Sequence, residues 1–334
     1  MNKSLKKKIT ITFMLMLWLV VFFSCHKDNI VDGPGTGTVY PNVDSFPSWS
    51  PDGSKIIYNH YGITKIGQDG TYGIDWDSSG LWMMNMDGSD AHLLLKGYDI
   101  YSAWSPTGGW IAYHRGGQIY KIPISDDLVD EAGVEQLTVQ GENYFPAWSS
   151  DGDWIAYDTN NSSNNGMNFI WKMKSDGSKK VRLVYEPEIG EIRMPSWSPR
   201  NDRIVHQRYV EEGDPEIFTM DCLGENPYRL TYDSSFDSYP HYSPDGMHIV
   251  FESDANIWVM DVDGSNLKQL TTNSGLSPSW SPDGTKIAYI GFTNPGEYDP
   301  SGNGTVWIMN ADGSDKKQLT FGPSSLKKEG GDCL

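Results

Sequence analysis

The chain has 334 residues, with 44 acidic and 26 basic side chains for a net charge of −18, and it is 38% hydrophobic and 13% aromatic. So much apolar and aromatic material excludes a solvated, disordered polymer, and the acidic balance argues against nucleic acid or an anionic membrane surface as a partner. Thirty-five glycines and 19 prolines mean many turns and point to an all-β fold, while Cys25, Cys222 and Cys333 are too few and too scattered for a disulfide framework or a zinc site.

The first segment reads as an address. Lys3, Lys6, Lys7 and Lys8 precede an uncharged, largely apolar run over residues 9–23, which is short for a membrane span of about 20 residues. Ser24 and Cys25 close the run and resemble a bacterial lipobox, which implies a signal peptide over residues 1–24 and a lipidated Cys25 as the membrane anchor. Ordinary signal cleavage with Cys25 incidental is the alternative. Loss of the four lysines would take the net charge from −18 to −22. Residues 25–43, rich in Asp, Gly, Pro and Thr, read as a flexible tether.

A repeated unit follows. Pro-x-Trp-Ser-Pro-Asp-Gly or a close variant stands at residues 47–53, 102–108, 146–152, 195–201, 240–246 and 278–284. Each copy leads into a β-rich run, then an aromatic strand centred on Trp82, Tyr120, Trp171, Phe218, Trp258 or Trp307. An Asp-Gly-Ser turn at Asp87, Asp176, Asp263 and Asp312 precedes a leucine strand at Leu93, Leu137, Leu183, Leu230, Leu270 or Leu319. Four short strands repeated six times predict a six-bladed β-propeller of four-stranded antiparallel blades over residues 44–321, with a tail over 322–334. The first-strand tryptophans are expected to fill the wedges between blades. The fourth copy departs most, with Arg200-Asn201-Asp202 and Cys222-Leu223-Gly224 in its turns, and the fifth has Tyr242 for Trp. Either residues 38–40 or residues 317–321 could supply the strand that completes the last blade.

These motifs resemble the TolB-like (WD-type) repeats of the TolB carboxy-terminal domain and of prolyl oligopeptidase propellers, over most of the chain. The resemblance implies an envelope or periplasmic location and a Pal-like lipoprotein partner docking at the channel mouth. TolB's amino-terminal α/β domain has no counterpart in the short tether. There is no Gly-x-Ser-x-Gly elbow and no room after the last blade for a hydrolase domain, so protease activity is not expected. No nucleotide, EF-hand or zincin motif occurs, and neither a cofactor nor a metal is expected.

Function is expected on the face opposite the tight turns, where loops are long and varied. Tyr72 and Trp76 in the 60–80 loop and Tyr298 in the 292–304 loop suit sugar stacking or peptide docking. Asp44, Asp99, Asn143 and Asp237 recur just before the Pro-x-Trp position, with Arg193 one residue later in its copy, and form a candidate acidic ring at the channel mouth that could attract a cation, an amine or a basic partner segment. Turn capping is the plain alternative for these side chains. The resulting expectation is a lipid-anchored, monomeric, non-enzymatic scaffold that docks a protein or glycan and does not bind nucleic acid. The alternative is a polysaccharide lyase or hydrolase using His60, His114, Asp158 and Glu252, which would have to converge from different blades. His114, His206 and His241 read otherwise as structural.

Overall fold

The computed structural model describes residues 43–66, 72–97, 101–160, 167–184, 190–210, 213–272, 274–292 and 304–321. The chain divides into two compact units, Met1–Thr38 and Val39–Leu334, and the first lies outside the described residues. Within the second, six sheets follow one another over residues 43–96, 102–136, 142–182, 192–229, 237–269 and 276–318, called blades 1 to 6. Their strands lie in sequence order, antiparallel, and the first strands touch one another around a closed ring. The only helical element among the described residues is the 3-10 turn Glu131–Gly133. The chain is thus an all-β six-bladed propeller.

The turn residues account for much of the acidity. Asp52 accepts from the Ser50 hydroxyl at 2.6 Å and from the Ser54 N–H at 3.0 Å, while Gly53 takes a φ of 72° that closes the hairpin. Asp151, Asp245 and Asp283 repeat this. In the second hairpin Asp87, Asp176, Asp263 and Asp312 each accept the N–H two residues on. These carboxylates are held below the usual range by hydrogen bonds from the serines and backbone of their own turns.

Three details differ from the sequence expectation. The outermost strands are mostly two residues long and end just before the leucines, as at Tyr228–Arg229 and Lys268–Gln269. Leu137, Leu183, Leu230, Leu270 and Leu319 instead anchor the strand ends as buried side chains. The threonine after the leucine binds back, so Ile217 N–H donates to Thr231 Oγ1 at 2.9 Å and Ile257 N–H to Thr271 Oγ1 at 2.8 Å. Blade 2 inserts an extra pairing, Leu128–Val129, before its Glu135–Gln136 strand. Finally, the 60–80 segment of blade 1 is not simply a loop. Lys55–Ile66 and Tyr72–Asn85 continue as a paired ribbon, with Gly62 opposite Asp75 and Ile63 opposite Ile74.

Ring closure uses no exchanged strand among the described residues, because Lys317–Gln318 supplies the outer strand of blade 6. Residues 38–40 lie outside the described residues. Blades 1 and 6 join through side chains: Trp49, Ile56, Tyr58 and Met84 pack with Ile290, Val306, Ile308 and Leu319. Trp49 Nε1–H donates to the Ser279 carbonyl at 3.2 Å, Lys317 reaches the Asp87 carbonyl at 3.0 Å, and the Thr320 hydroxyl donates to Asp44. Gly88 sits at φ 91° on this seam, where a Cβ would come within 2.9 Å of the Leu319 carbonyl oxygen.

Candidate functional site

The first strand is the inner edge of each blade, and in five of six blades it carries a proline with a register shift around it. Pro47, Pro146, Pro195, Pro240 and Pro278 lack the N–H that a regular ladder needs, so the strand bulges there. Blade 2 has Ser102 instead, and it pairs regularly as Ser102 with Tyr113 and Ala103 with Ala112. The residue before each proline, Phe46, Phe145, Met194, Tyr239 or Ser277, takes a φ between 50° and 57°. Such a conformation costs a non-glycine residue roughly 1 kcal/mol or more.

That strained residue points to the axis. Phe46 of blade 1 lies 5.6 Å from Tyr239 of blade 5 and 6.4 Å from Phe145 of blade 3, and Tyr101 of blade 2 lies 4.5 Å from Phe145. Rings from four blades therefore meet across the axis and plug it. The mouth on the side of the second-to-third-strand connections is a seat with an aromatic floor, not the entrance of an open pore.

Beside this floor five of the six blades carry a polar residue after the second-strand aromatic, Asn59, His114, Asp158, Gln207 and Glu252, while blade 6 has Ile290. Each strand alternates its faces, so these side chains reach toward the next blade. Glu252 accepts the strained Ser277 N–H at 3.1 Å, and Asp158 accepts from the Met194 N–H in the same way. Asp158 also accepts from Arg193 Nε at 3.2 Å, and Glu191 lies 3.8 Å from the same nitrogen. His114 packs against Tyr144 at 5.1 Å and Tyr101 at 6.4 Å.

Burial sets the protonation of this group. It pushes the Asp158 carboxyl up to about 7 against the pull of Arg193, and Glu252 up to about 7 against the Ser277 N–H. His114 is pushed down to about 3 by burial and by Arg193, so it is neutral. Burial works against the charge on Arg193 as well, but Asp158 and Glu191 outweigh it and keep the guanidinium protonated. Because Glu252 holds its proton more tightly folded than unfolded, its favourable contribution is complete below its unfolded pKa of 4.5 and is lost as pH rises through about 7. Glu252→Gln is therefore expected to gain up to about 3 kcal/mol over the wild type between pH 5 and pH 8. Melting curves at both pH values read this directly, and an equal difference at the two would contradict it.

The structure brings together Arg193, His114 and Asp158, and places Glu252 in the same ring of positions. It places three other ring candidates beneath the surface. Asp44 accepts from His60 Nδ1 at 2.6 Å and from Thr320. Asn143 donates to the Gly117 and Gln140 carbonyls at 3.1 and 2.9 Å. Asp237 is 1% exposed, and burial raises its pKa to about 7. Trp76 is 55% exposed on the blade 1 ribbon. Tyr72 begins the third strand of that blade, but its side chain lies outside the described residues, as do Cys25, Asp99 and Tyr298 entirely. His206 is buried and His241 partly buried, and desolvation lowers both to about 4. Among the described residues no three His, Cys, Asp or Glu side chains are grouped to hold a metal. The aromatic floor went unnoticed in the sequence, although an aromatic residue or Met immediately before Pro or Ser recurs at 46, 101, 145, 194 and 239.

A search of known proteins finds an uncharacterized protein of Agrobacterium fabrum, 26% identical over 301 residues that span 75% of this chain and 85% of that one. The Tol-Pal system protein TolB of Francisella tularensis subsp. mediasiatica is 29% identical over 104 residues, 29% of this chain but only 23% of that protein. Among solved structures, TolB from Acinetobacter baumannii superposes with a TM-score of 0.58 at 21% identity, covering 83% of this chain and 79% of the other. The fold is that of a TolB-like β-propeller. An oligogalacturonate lyase in complex with manganese has the same fold at a TM-score of 0.55 and 14% identity, covering 87% of the TolB-like propeller and 80% of the lyase. No protein-family model matches the chain.

Proposed function

We propose that this TolB-like propeller is a non-enzymatic binding scaffold of the cell envelope that docks a protein segment at its channel mouth. The observation that carries the reading is the aromatic floor, a rigid seat assembled from four blades around Arg193. Tyr101 and Phe46 are half-buried there, with Tyr144 at the rim, and aromatic anchors in a ring of polar groups suit a docked side chain. Arg193, Asp99, Tyr72, Trp76 and Tyr298 are its proposed contacts, while Asp44, Asn143 and Asp237 are buried in the first strands that enter it. Residues 1–24 act as the signal, Cys25 carries the lipid, 25–43 form the tether, 44–321 the propeller and 322–334 a tail. The relation to a Tol-Pal system protein favours an envelope partner of the Pal kind.

A carbohydrate-active enzyme draws support from the lyase fold and from carboxyls shifted to about 7. It is the weaker reading, because Asp158 and His114 are 0% and 6% exposed and are enclosed by side chains of neighbouring blades. The full chain is expected to sediment with membranes and Cys25→Ser to release it. Capture from envelope extract is expected to recover one discrete partner that a Glu142→Lys, Tyr144→Ala variant loses. Turnover of a glycan panel with no partner recovered would overturn the scaffold in favour of the enzyme.

A further inference from the structure

The seam between blades 4 and 5 breaks the repeat in three places at once, all toward the hairpin face opposite the mouth. The wedge tryptophan is Tyr242, and the third-strand residue it meets is Thr219, where blades 1, 2, 3 and 6 have Met83, Lys121, Lys172 and Ile308. The third break is at the outer strand. In blades 5 and 6 a lysine bridges the seam there, Lys268 to the Asp312 carbonyl at 2.9 Å and Lys317 to the Asp87 carbonyl at 3.0 Å. Blade 4 has Tyr228 instead, 53% exposed. Smaller side chains and a missing bridge leave an open groove of about 500 Å³, lined by Arg203, Thr219, Asn226, Pro227 and Tyr228 from blade 4 and by Val262 and Asp263 from blade 5. A smaller cavity of about 80 Å³ shares Arg203 and Val262 and reaches Tyr242.

Arg203 is the chemical feature of this groove. Its Nε donates to Thr219 Oγ1 at 3.1 Å and it bonds the Tyr242 phenol, both neutral oxygens. Among the described residues it forms no salt bridge, although its charge helps hold down the carboxyl of Asp221, its cross-strand neighbour. On the blade 5 side Met247, whose carbonyl accepts the Val262 N–H at 3.1 Å, is 60% exposed. Met247 stands where other blades have Ser54, Gly109, Asp153, Asp202 and Thr285. A cationic group between exposed Tyr228 and Met247 matches a ligand with an apolar body and a negative charge, and the groove admits a side chain or two.

We propose that the blade 4/5 seam is a second docking site, which takes an acidic peptide segment by seating an aromatic or large apolar side chain beside Tyr228 and an adjacent carboxylate on Arg203. The site is independent of the mouth and stands if the mouth reading fails. The test uses fluorescence anisotropy with the full chain and two labelled peptides, Glu-Phe-Glu-Pro and Lys-Phe-Lys-Pro. The acidic peptide is expected to bind and the basic one not to. Arg203→Gln should weaken binding about tenfold or more, as loss of a charge-assisted hydrogen bond does. Tyr242→Trp and Tyr228→Lys put back the residue types of other blades, so they fold, fill or bridge the seam and should abolish binding. Glu142→Lys at the mouth should leave binding unchanged. Equal binding of both peptides, no binding by either at millimolar concentration, or binding that survives Tyr242→Trp would each overturn the proposal.

Discussion

Replacing Trp49 by alanine is expected to lower the unfolding free energy by about 3–5 kcal/mol, the range for emptying a buried aromatic site. The indole is 6% exposed, packs with Met84, Ile308 and Leu319, and bonds the Ser279 carbonyl at 3.2 Å. Its place makes the loss costly. Blades 1 and 6 lie at opposite ends of the chain and share no strand among the described residues, so the apolar seam and the Trp49–Ser279, Lys317–Asp87 and Thr320–Asp44 bonds are what close the ring. Trp104, at the seam of blades 1 and 2, is only partly buried and joins blades that the chain already links, so Trp104→Ala should cost less. Chemical denaturation of the two variants gives the comparison. Equal losses would mean that ring closure has no special weight in stability.

Arg193→Leu is the second large effect, and its size should depend on pH. Removing the guanidinium strands the Asp158 carboxylate where it is wholly buried, a defect that costs about 3–5 kcal/mol when the charge must remain. Asp158 already titrates at about 7 with Arg193 present, and losing the cation raises it further. At pH 5 the carboxyl is protonated in the wild type and the variant alike, so the substitution should then cost little more than a hydrogen bond. At pH 8 the variant must keep a proton that the unfolded chain readily gives up, and that linkage lowers its stability. Adding Asp158→Asn should recover most of the loss at pH 8, because the amide oxygen still accepts the Met194 N–H. Melting curves of the single and double variants at both pH values check this. A loss of the same size at pH 5 and pH 8 would contradict a stranded charge.

The blades were legible because turns and wedges repeat. Asp-Gly at 52–53 or 87–88 has one local solution, set by positive φ and carboxylate capping, and six copies in register make the fold unambiguous. The mouth was legible only in part. Arg193 and Asp158 stand out as residue types, but they lie 35 positions apart and meet only because the end of one blade's second strand faces the next blade's inner edge. The aromatic floor was hidden for a different reason. A strand normally alternates its faces, and the bulge at each proline turns Phe46 or Tyr239 onto the axis, where simple alternation would not place it. Departures from the repeat proved as informative as the repeat itself. Tyr242 in place of Trp takes its meaning from Thr219 and Tyr228 at the same seam.

The seat at the channel mouth is tested most directly by site-specific photo-crosslinking in the cell that produces the protein. A photoreactive phenylalanine analogue at Tyr144, whose hydroxyl donates to Glu142 at 3.4 Å, stands at the mouth, and one at the exposed Ser89 turn stands on the opposite face, away from the blade 4/5 seam. The account predicts one discrete protein adduct from position 144 and none from position 89. No adduct at 144, or the same adduct from both positions, would contradict it.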